Sequence, residues 1–200
     1  MVAADYRRLA RQHLQGNYAT VLLVTLVYSL LIGALGSFGI GILLLGGVLT
    51  VGLSSAILSL IRTGKTKIEL LFDGFKQDFG AQIVAYILYS IFIALWTLLF
   101  IIPGIVKSFS YAMTFYILRD NPGLSGSEAI ERSRQMMNGH KWELFCLQFS
   151  FIGWILLSLL TFGIGAIFLM SYMETAKAEF YQNLLAEEQG FFVKTESETI

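Results

Sequence analysis

The 200-residue sequence is short of most of what carries chemistry. Its one cysteine, Cys146, excludes an intramolecular disulfide and any CxxC metal site. Its two histidines, His13 and His140, belong to no HExxH pattern and read as interfacial residues rather than ligands. A glycine-rich phosphate loop is missing, as is any grouping of Ser, His and Asp that chain order would suggest, so no enzyme, metal or cofactor is expected. Charge is scarce as well: Lys plus Arg and Asp plus Glu number 14 each, and charged residues make up 14% of the chain. A chain with no surplus of either sign gives no reason to expect a nucleic-acid partner.

Apolar residues are what the sequence has in excess. They form 56% of it, and the mean hydropathy of +0.67 lies outside the range of water-soluble domains. The runs Tyr18 to Gly36, Ile40 to Ile61, Ala81 to Ile102 and Leu144 to Gly165 contain no charged residue, and each is long enough for a hydrocarbon core of about 30 Å. Two further arms are less clean. Gly104 to Leu118 is short and carries Lys107, and Gly165 to Leu185 reaches Glu174 after nine residues, so both need protein rather than lipid around them.

These runs recur in a unit of polar stretch, Gly, apolar run, Gly-Ile break and second apolar run. The leading glycines Gly16, Gly80 and Gly139 are 64 and 59 apart, and the breaks at Phe38-Gly39-Ile40-Gly41, Ile102-Pro103-Gly104-Ile105 and Phe162-Gly163-Ile164-Gly165 keep nearly the same step. An acid repeats with them at Asp5, Glu69 and Glu128. The expected fold is therefore an all-α membrane protein with six transmembrane helices in three repeated hairpins, each preceded by a cytoplasmic amphipathic helix. The repeats are about 1–61, 62–120 and 121–185 of one domain at 1–185. Residues 186–200 read as a flexible acidic tail.

Thr66-Lys67-Ile68-Glu69 and Ser125-Gly126-Ser127-Glu128 have the form of capping boxes. The spacing of Ile68, Leu71, Phe72, Phe75 and Phe79 makes an apolar helical stripe, repeated at Tyr6, Leu9, Ala10, His13 and Leu14 and more weakly at Ala129, Ile130, Ser133, Met136 and Met137. Such helices set the angle at which a hairpin enters the bilayer, or they bind a protein partner. Within the spans, Ser29 with Gly33 and Gly52 with Ala56 are small-xxx-small pairs, which predict that spans one and two form the tightest hairpin. Packing surface is the main reading of these residues, with close approach of a ligand the minor alternative at Gly46 and Gly47.

Orientation follows from the cations. Thirteen of the fourteen Lys and Arg residues lie in the N-terminal segment, in the two long connectors or toward the C-terminal end, where Lys177 and Lys194 fall, and only Lys107 does not. Both termini are then cytoplasmic, without a cleavable signal peptide.

The one dense polar cluster at expected membrane depth is in Ser171 to Tyr181. Glu174 lies about 14 Å along span six at 1.5 Å per residue, with Thr175 beside it and Lys177 one turn on. Lys107 is the other candidate partner. Ser110-Tyr111 and Ser171-Tyr172 occupy corresponding places, so Tyr111 and Tyr172 are included in a candidate intramembrane polar site with Glu174, Lys177, Lys107 and Thr175. Structural pairing, or early emergence of span six at the interface, is the competing account of the same residues.

The run Ile101-Ile102-Pro103-Gly104-Ile105, with Ser110 to Met113, Tyr116 to Pro122, Glu128-Ala129-Ile130, Gly139-His140-Lys141-Trp142 and Phe151 to Trp154, closely resembles the bacterial membrane family catalogued as domain of unknown function 975. The resemblance covers the chain to about Leu185. It implies a multi-spanning bacterial plasma-membrane protein and supplies neither an activity nor catalytic residues. A non-enzymatic membrane module that binds membrane lipids or a partner is the expected function. The alternative is a small transporter or channel with a central polar cavity between three pseudo-symmetric hairpins.

Overall fold

The structure is a computed structural model and describes residues 2–37, 40–160 and 164–198, with the side chains of 40, 159, 160, 164 and 189–198 outside that description. Every regular element among the described residues is helical. In chain order these are α1 (Ala3–Leu14), α2 (Tyr18–Ser37), α3 (Ile40–Thr63), a 3-10 segment (Ile68–Lys76), α4 (Phe79–Leu99), α5 (Ile101–Ser110), α6 (Thr114–Asp120), α7 (Gly126–Met136), α8 (Lys141–Phe149), α9 (Ile152–Leu160) and α10 (Ile164–Glu198).

Four stretches are long and apolar enough to cross a membrane: Tyr18–Ser37, Gly41–Thr63, Phe79–Leu99 and Ile101–Asp120. The first three match the charge-free runs. The expected span from Leu144 to Gly165 is instead divided between α8 and α9. At the interruption the Ser150 carbonyl accepts from the distant Arg7 Nη1 at 3.4 Å, while Ser150 Oγ donates back to the Leu147 carbonyl at 2.6 Å. The fourth arm is interrupted too, between α5 and α6. There Ser133 of α7 fills the gap, donating to the Ser110 carbonyl at 3.0 Å and accepting from the Met113 N–H at 3.1 Å. Such substitution is what an irregular backbone needs where water is excluded.

The reversal between α4 and α5 is at Phe100, whose backbone is extended (φ −157°, ψ 136°), so the turn precedes the Pro-Gly pair. Pro103 falls in the first turn of α5, where its missing N–H costs no helical hydrogen bond. Residues 38, 39 and 161–163, on which the other two Gly-Ile breaks fall, lie outside the described residues.

The helix α3 is the hub, with 67% of its apolar window buried against 17% for α2 and 11% for α4. Its glycines explain how. A Cβ at Gly52 would collide with the Leu71 carbonyl, one at Gly47 with the Gln82 carbonyl, and one at Gly46 with the Tyr86 ring. Gly74 answers from the other side, pressed on the Val48 carbonyl. The small residues of α3 thus admit the 3-10 segment and α4, whereas the pairs read from sequence assign them to α2. On α2 a Cβ at Gly33 would meet nothing within 4 Å.

The connector between α3 and α4 therefore runs back along α3 instead of lying flat beneath it. Its phenyl stripe faces outward: Phe72, Phe75 and Phe79 are exposed, with ring centroids 6.3 and 6.2 Å apart in sequence. The capping box expected at Thr66 is not formed. Thr66 Oγ1 is buried and donates to the Ala56 carbonyl at 2.8 Å, leaving Lys67 at the cap without a side-chain hydrogen bond. The box at Ser125 is formed, with the Glu128 carboxylate accepting from the Ser125 N–H at 2.8 Å and from its hydroxyl at 2.6 Å. Those hydrogen bonds hold the Glu128 carboxyl below its ordinary range.

The leading glycines also differ. Gly16 and Gly139 take positive φ (81° and 89°) at chain turns, but Gly80 sits inside α4, which is capped instead by Asp78 Oδ1 accepting from the Ala81 N–H at 3.3 Å.

Gly52→Ala sets a methyl against backbone that cannot swing away. It is expected to destabilise the protein by roughly 1 to 3 kcal/mol, whereas Gly33→Ala should be neutral or stabilising by up to about 1 kcal/mol. Detergent-solubilised thermal unfolding of the two variants checks the contrast, and equal effects would remove α3 from its central place.

Candidate functional site

Helix α10 carries the cluster singled out by its charges, and three other segments close around it. A cavity of about 100 Å³ is lined by Tyr28 of α2; Thr50, Leu53 and Ser54 of α3; Ala112, Phe115 and Tyr116 from the α5–α6 stretch; and Glu174 and Lys177 of α10. Thr50 and Ser54 reach it together because they are one helical turn apart on one face. Tyr28 Oη is 3.2 Å from Thr50 Oγ1. The Glu174 carboxylate interacts with the Tyr116 phenol, and Lys177 Nζ stands 5.8 Å from the centroid of the same ring. Among the described residues, no ion pair joins Glu174 to Lys177. The two charges share a cavity without touching.

The other candidates are elsewhere. Lys107 lies over the Trp96 ring at 4.9 Å, on the α4–α5 hairpin. Tyr111 packs against Tyr89 and Phe92. Tyr172 donates to the Arg7 carbonyl at 2.8 Å and meets Phe151 edge to face at 5.2 Å. Thr175 is buried and spends its hydroxyl on the Ser171 carbonyl at 2.8 Å, inside its own helix. Corresponding sequence positions thus reach different surroundings. Tyr28, Thr50, Ser54 and Tyr116 do not stand out in the sequence, where the only available signal is the i, i+4 spacing of two hydroxyls on an apolar helix.

Nearer the end of α3, Asp120 gathers three partners. Arg62 binds it through both nitrogens at 2.9 and 2.6 Å, Arg119 at 2.7 Å, and Tyr181 Oη donates at 3.1 Å. With Gln182 oriented so that its carbonyl accepts from Arg62, the cluster ties α3, α6 and α10 together. Both histidines also hold α10. His13 Nε2 is 3.1 Å from Glu179 Oε1, and His140 Nε2 is 3.8 Å from Glu187 Oε2.

A second, larger space of about 560 Å³ opens on the opposite side of α10. Arg11, Leu14, Gln15, Gly16 and Tyr18 line one end, and Trp154, Leu157, Ser158, Gly165, Phe168, Leu169 and Tyr172 line the rest. The walls are apolar and the polar groups gather where α1 passes into α2. Arg11 rests 6.0 Å from the Tyr172 ring and has no carboxylate partner among the described residues. No sequence pattern marks this groove, because its walls come from segments about 150 residues apart.

Fold and site together define an all-helical protein with four helices able to span a membrane and a polar interior between them. The chain matches the family described as Protein of unknown function (DUF975) over residues 1–110 and 98–188, and it belongs to that family. No curated protein and no solved structure matches it.

The Asp120 cluster gives a direct test of how α3, α6 and α10 are joined. A double-mutant cycle on Arg62→Gln and Asp120→Asn should return a coupling of roughly 1 to 3 kcal/mol. Tyr181→Phe should cost about 1 kcal/mol. A coupling near zero in denaturant unfolding would mean that the three helix ends are held by apolar contact alone.

Proposed function

We propose that this chain is a bacterial plasma-membrane protein that binds a membrane lipid without chemically altering it. In this reading α2, α3, α4, α5 with α6, α8 with α9, and α10 are its six spans. They form three hairpins inserted in the same sense, with both termini cytoplasmic. The distribution of Lys and Arg supports that orientation. Large apolar side chains left exposed along α4, α5 and α9 support immersion in hydrocarbon, among them Leu95, Leu98, Phe100, Ile102, Trp154 and Leu156.

The observation that carries the function is the lateral groove. Its volume of about 560 Å³ is that of a small-molecule site, its walls suit an acyl chain, and its one cation stands at the end where α1 would lie along the headgroups. A guanidinium backed by a tyrosine ring complements a phosphate, and a lining that holds no carboxylate among the described residues to receive a headgroup ammonium favours an anionic phospholipid over a zwitterionic one.

Native mass spectrometry of the purified protein should show a retained anionic phospholipid. Leu157→Trp, which fills the groove, should reduce retention several-fold, and Arg11→Gln should remove the preference for anionic over zwitterionic lipid. Equal retention by all three proteins would end the lipid reading. Topology is separable from it. On a Cys146→Ala background, an impermeant thiol reagent should label a cysteine introduced at Ser37 from outside intact cells and should not label one at Gly64; the opposite pattern would invert the orientation.

Transport is the second reading. The observation favouring it is that the central cavity draws polar groups from all three of the proposed hairpins, Tyr28, Thr50 and Ser54 from the first, Tyr116 from the second, Glu174 and Lys177 from the third.

A further inference from the structure

The proton inventory of the central cavity is one-sided. Thr50 Oγ1 donates its single proton to the Gly46 carbonyl at 2.7 Å, so the contact at 3.2 Å must be donated by the Tyr28 phenol. Ser54 spends its proton on the Thr50 carbonyl at 2.9 Å. The Tyr116 phenol shares the cavity with the Glu174 carboxylate, which can only accept. What these groups leave for the cavity is lone pairs on Tyr28 and Ser54 and the remaining acceptor capacity of Glu174. Among the side chains lining the cavity, the one cationic donor is the Lys177 ammonium. Such a wall fits a positively charged occupant, and the chain supplies one of its own.

Lys177 is attached so that it can yield. It stands three residues beyond Glu174, about 4.5 Å further toward the cytoplasmic end of α10 at 1.5 Å per residue. A tyrosine face holds it in place of a carboxylate. A lysine stem of four carbons can withdraw its ammonium toward an interface while its methylenes stay packed. Withdrawal leaves Glu174 uncompensated beside four hydroxyl-bearing side chains in a space of about 100 Å³. Liquid water takes about 30 Å³ per molecule, so the space accepts one small cation with one or two waters. A divalent ion is disfavoured, since a single carboxylate provides too little charge for it.

We propose that this cavity is a binding site for a small monovalent cation, held by Glu174, Tyr28 and Ser54, for which the Lys177 ammonium is the tethered competitor. The site is independent of the lipid groove.

The test is thermal unfolding of the full chain in lipid nanodiscs, titrated with sodium, potassium or ammonium chloride and balanced to constant ionic strength with choline chloride, whose cation is too large to enter. At least one of the three cations should raise the midpoint saturably. Lys177→Met should lower the half-saturating concentration by roughly tenfold or more, as removal of a coupled competitor does. Glu174→Gln should abolish saturation, and Tyr28→Phe combined with Ser54→Ala should weaken it several-fold while keeping the carboxylate. Indistinguishable curves in choline and in all three small-cation salts, for the wild type and Lys177→Met alike, would overturn the proposal and leave water as the occupant. Saturation that survives Glu174→Gln would overturn it too. Should that variant fail to fold, an unchanged half-saturation in the Tyr28→Phe, Ser54→Ala protein overturns the proposal in its place.

Discussion

Close backbone approach to α3 is the constraint on which the rest of the structure depends. A helix that is apolar on all sides has no amphipathic face to orient it, and where hydrophobic exclusion between helices is absent, association rests on packing. Glycine supplies the packing here. At Gly46, Gly47 and Gly52 the neighbours come nearer than any side chain would allow, and Gly74 repeats the device from the opposing segment. Once the 3-10 segment and α4 are seated, α6 closes over the remaining flank, and all five residues from Thr114 to Leu118 are buried. Arg62 at one end of α3 and Thr50 about 18 Å along it are thereby fixed, and with them the Asp120 cluster and the central cavity.

Parts of the fold that depend on composition over twenty residues are legible in the sequence, and parts that depend on one distant partner are not. The charge-free runs of α2, α3 and α4 announce themselves because length and hydropathy are local properties. The interruptions at Ser150 and between Ser110 and Thr114 do not, because the groups that tolerate them are Arg7 and Ser133, 143 and 23 residues away. The hydroxyl at Thr66 shows the same limit. Its spacing to Glu69 suits a capping box, but a carbonyl ten residues back, Ala56, is nearer in space and buried from water, and it takes the proton. Small-residue pairs identify a surface for close approach without identifying what approaches.

The candidate site divides along the same line. Glu174 and Lys177 are conspicuous because charge is rare in an apolar chain, and the structure puts both on one cavity. Tyr28, Thr50, Ser54 and Tyr116 are inconspicuous, since hydroxyl side chains are ordinary residents of apolar helices and acquire meaning only when four segments converge. Lys107, Tyr111 and Tyr172 have the right residue types, and the two tyrosines occupy corresponding positions. Aromatic neighbours divert each of them, because interrupted α5–α6 and unbroken α10 present these positions to different partners.

Why a carboxylate persists in the middle of α10 follows from what else that helix does. Its face toward α9 and α1 lines the groove through Phe168, Leu169 and Tyr172, and its face toward α3 and α6 carries Glu174 and Lys177. Between them Ser171 Oγ is 2.6 Å from Thr25 Oγ1 of α2, and beyond them Tyr181 joins the Asp120 cluster. A helix anchored by polar contacts on several sides cannot rotate an acid out toward an interface without breaking hydrogen bonds that have no water to replace them. The cost of keeping Glu174 inside is then met by Tyr116 and by cations, tethered or free.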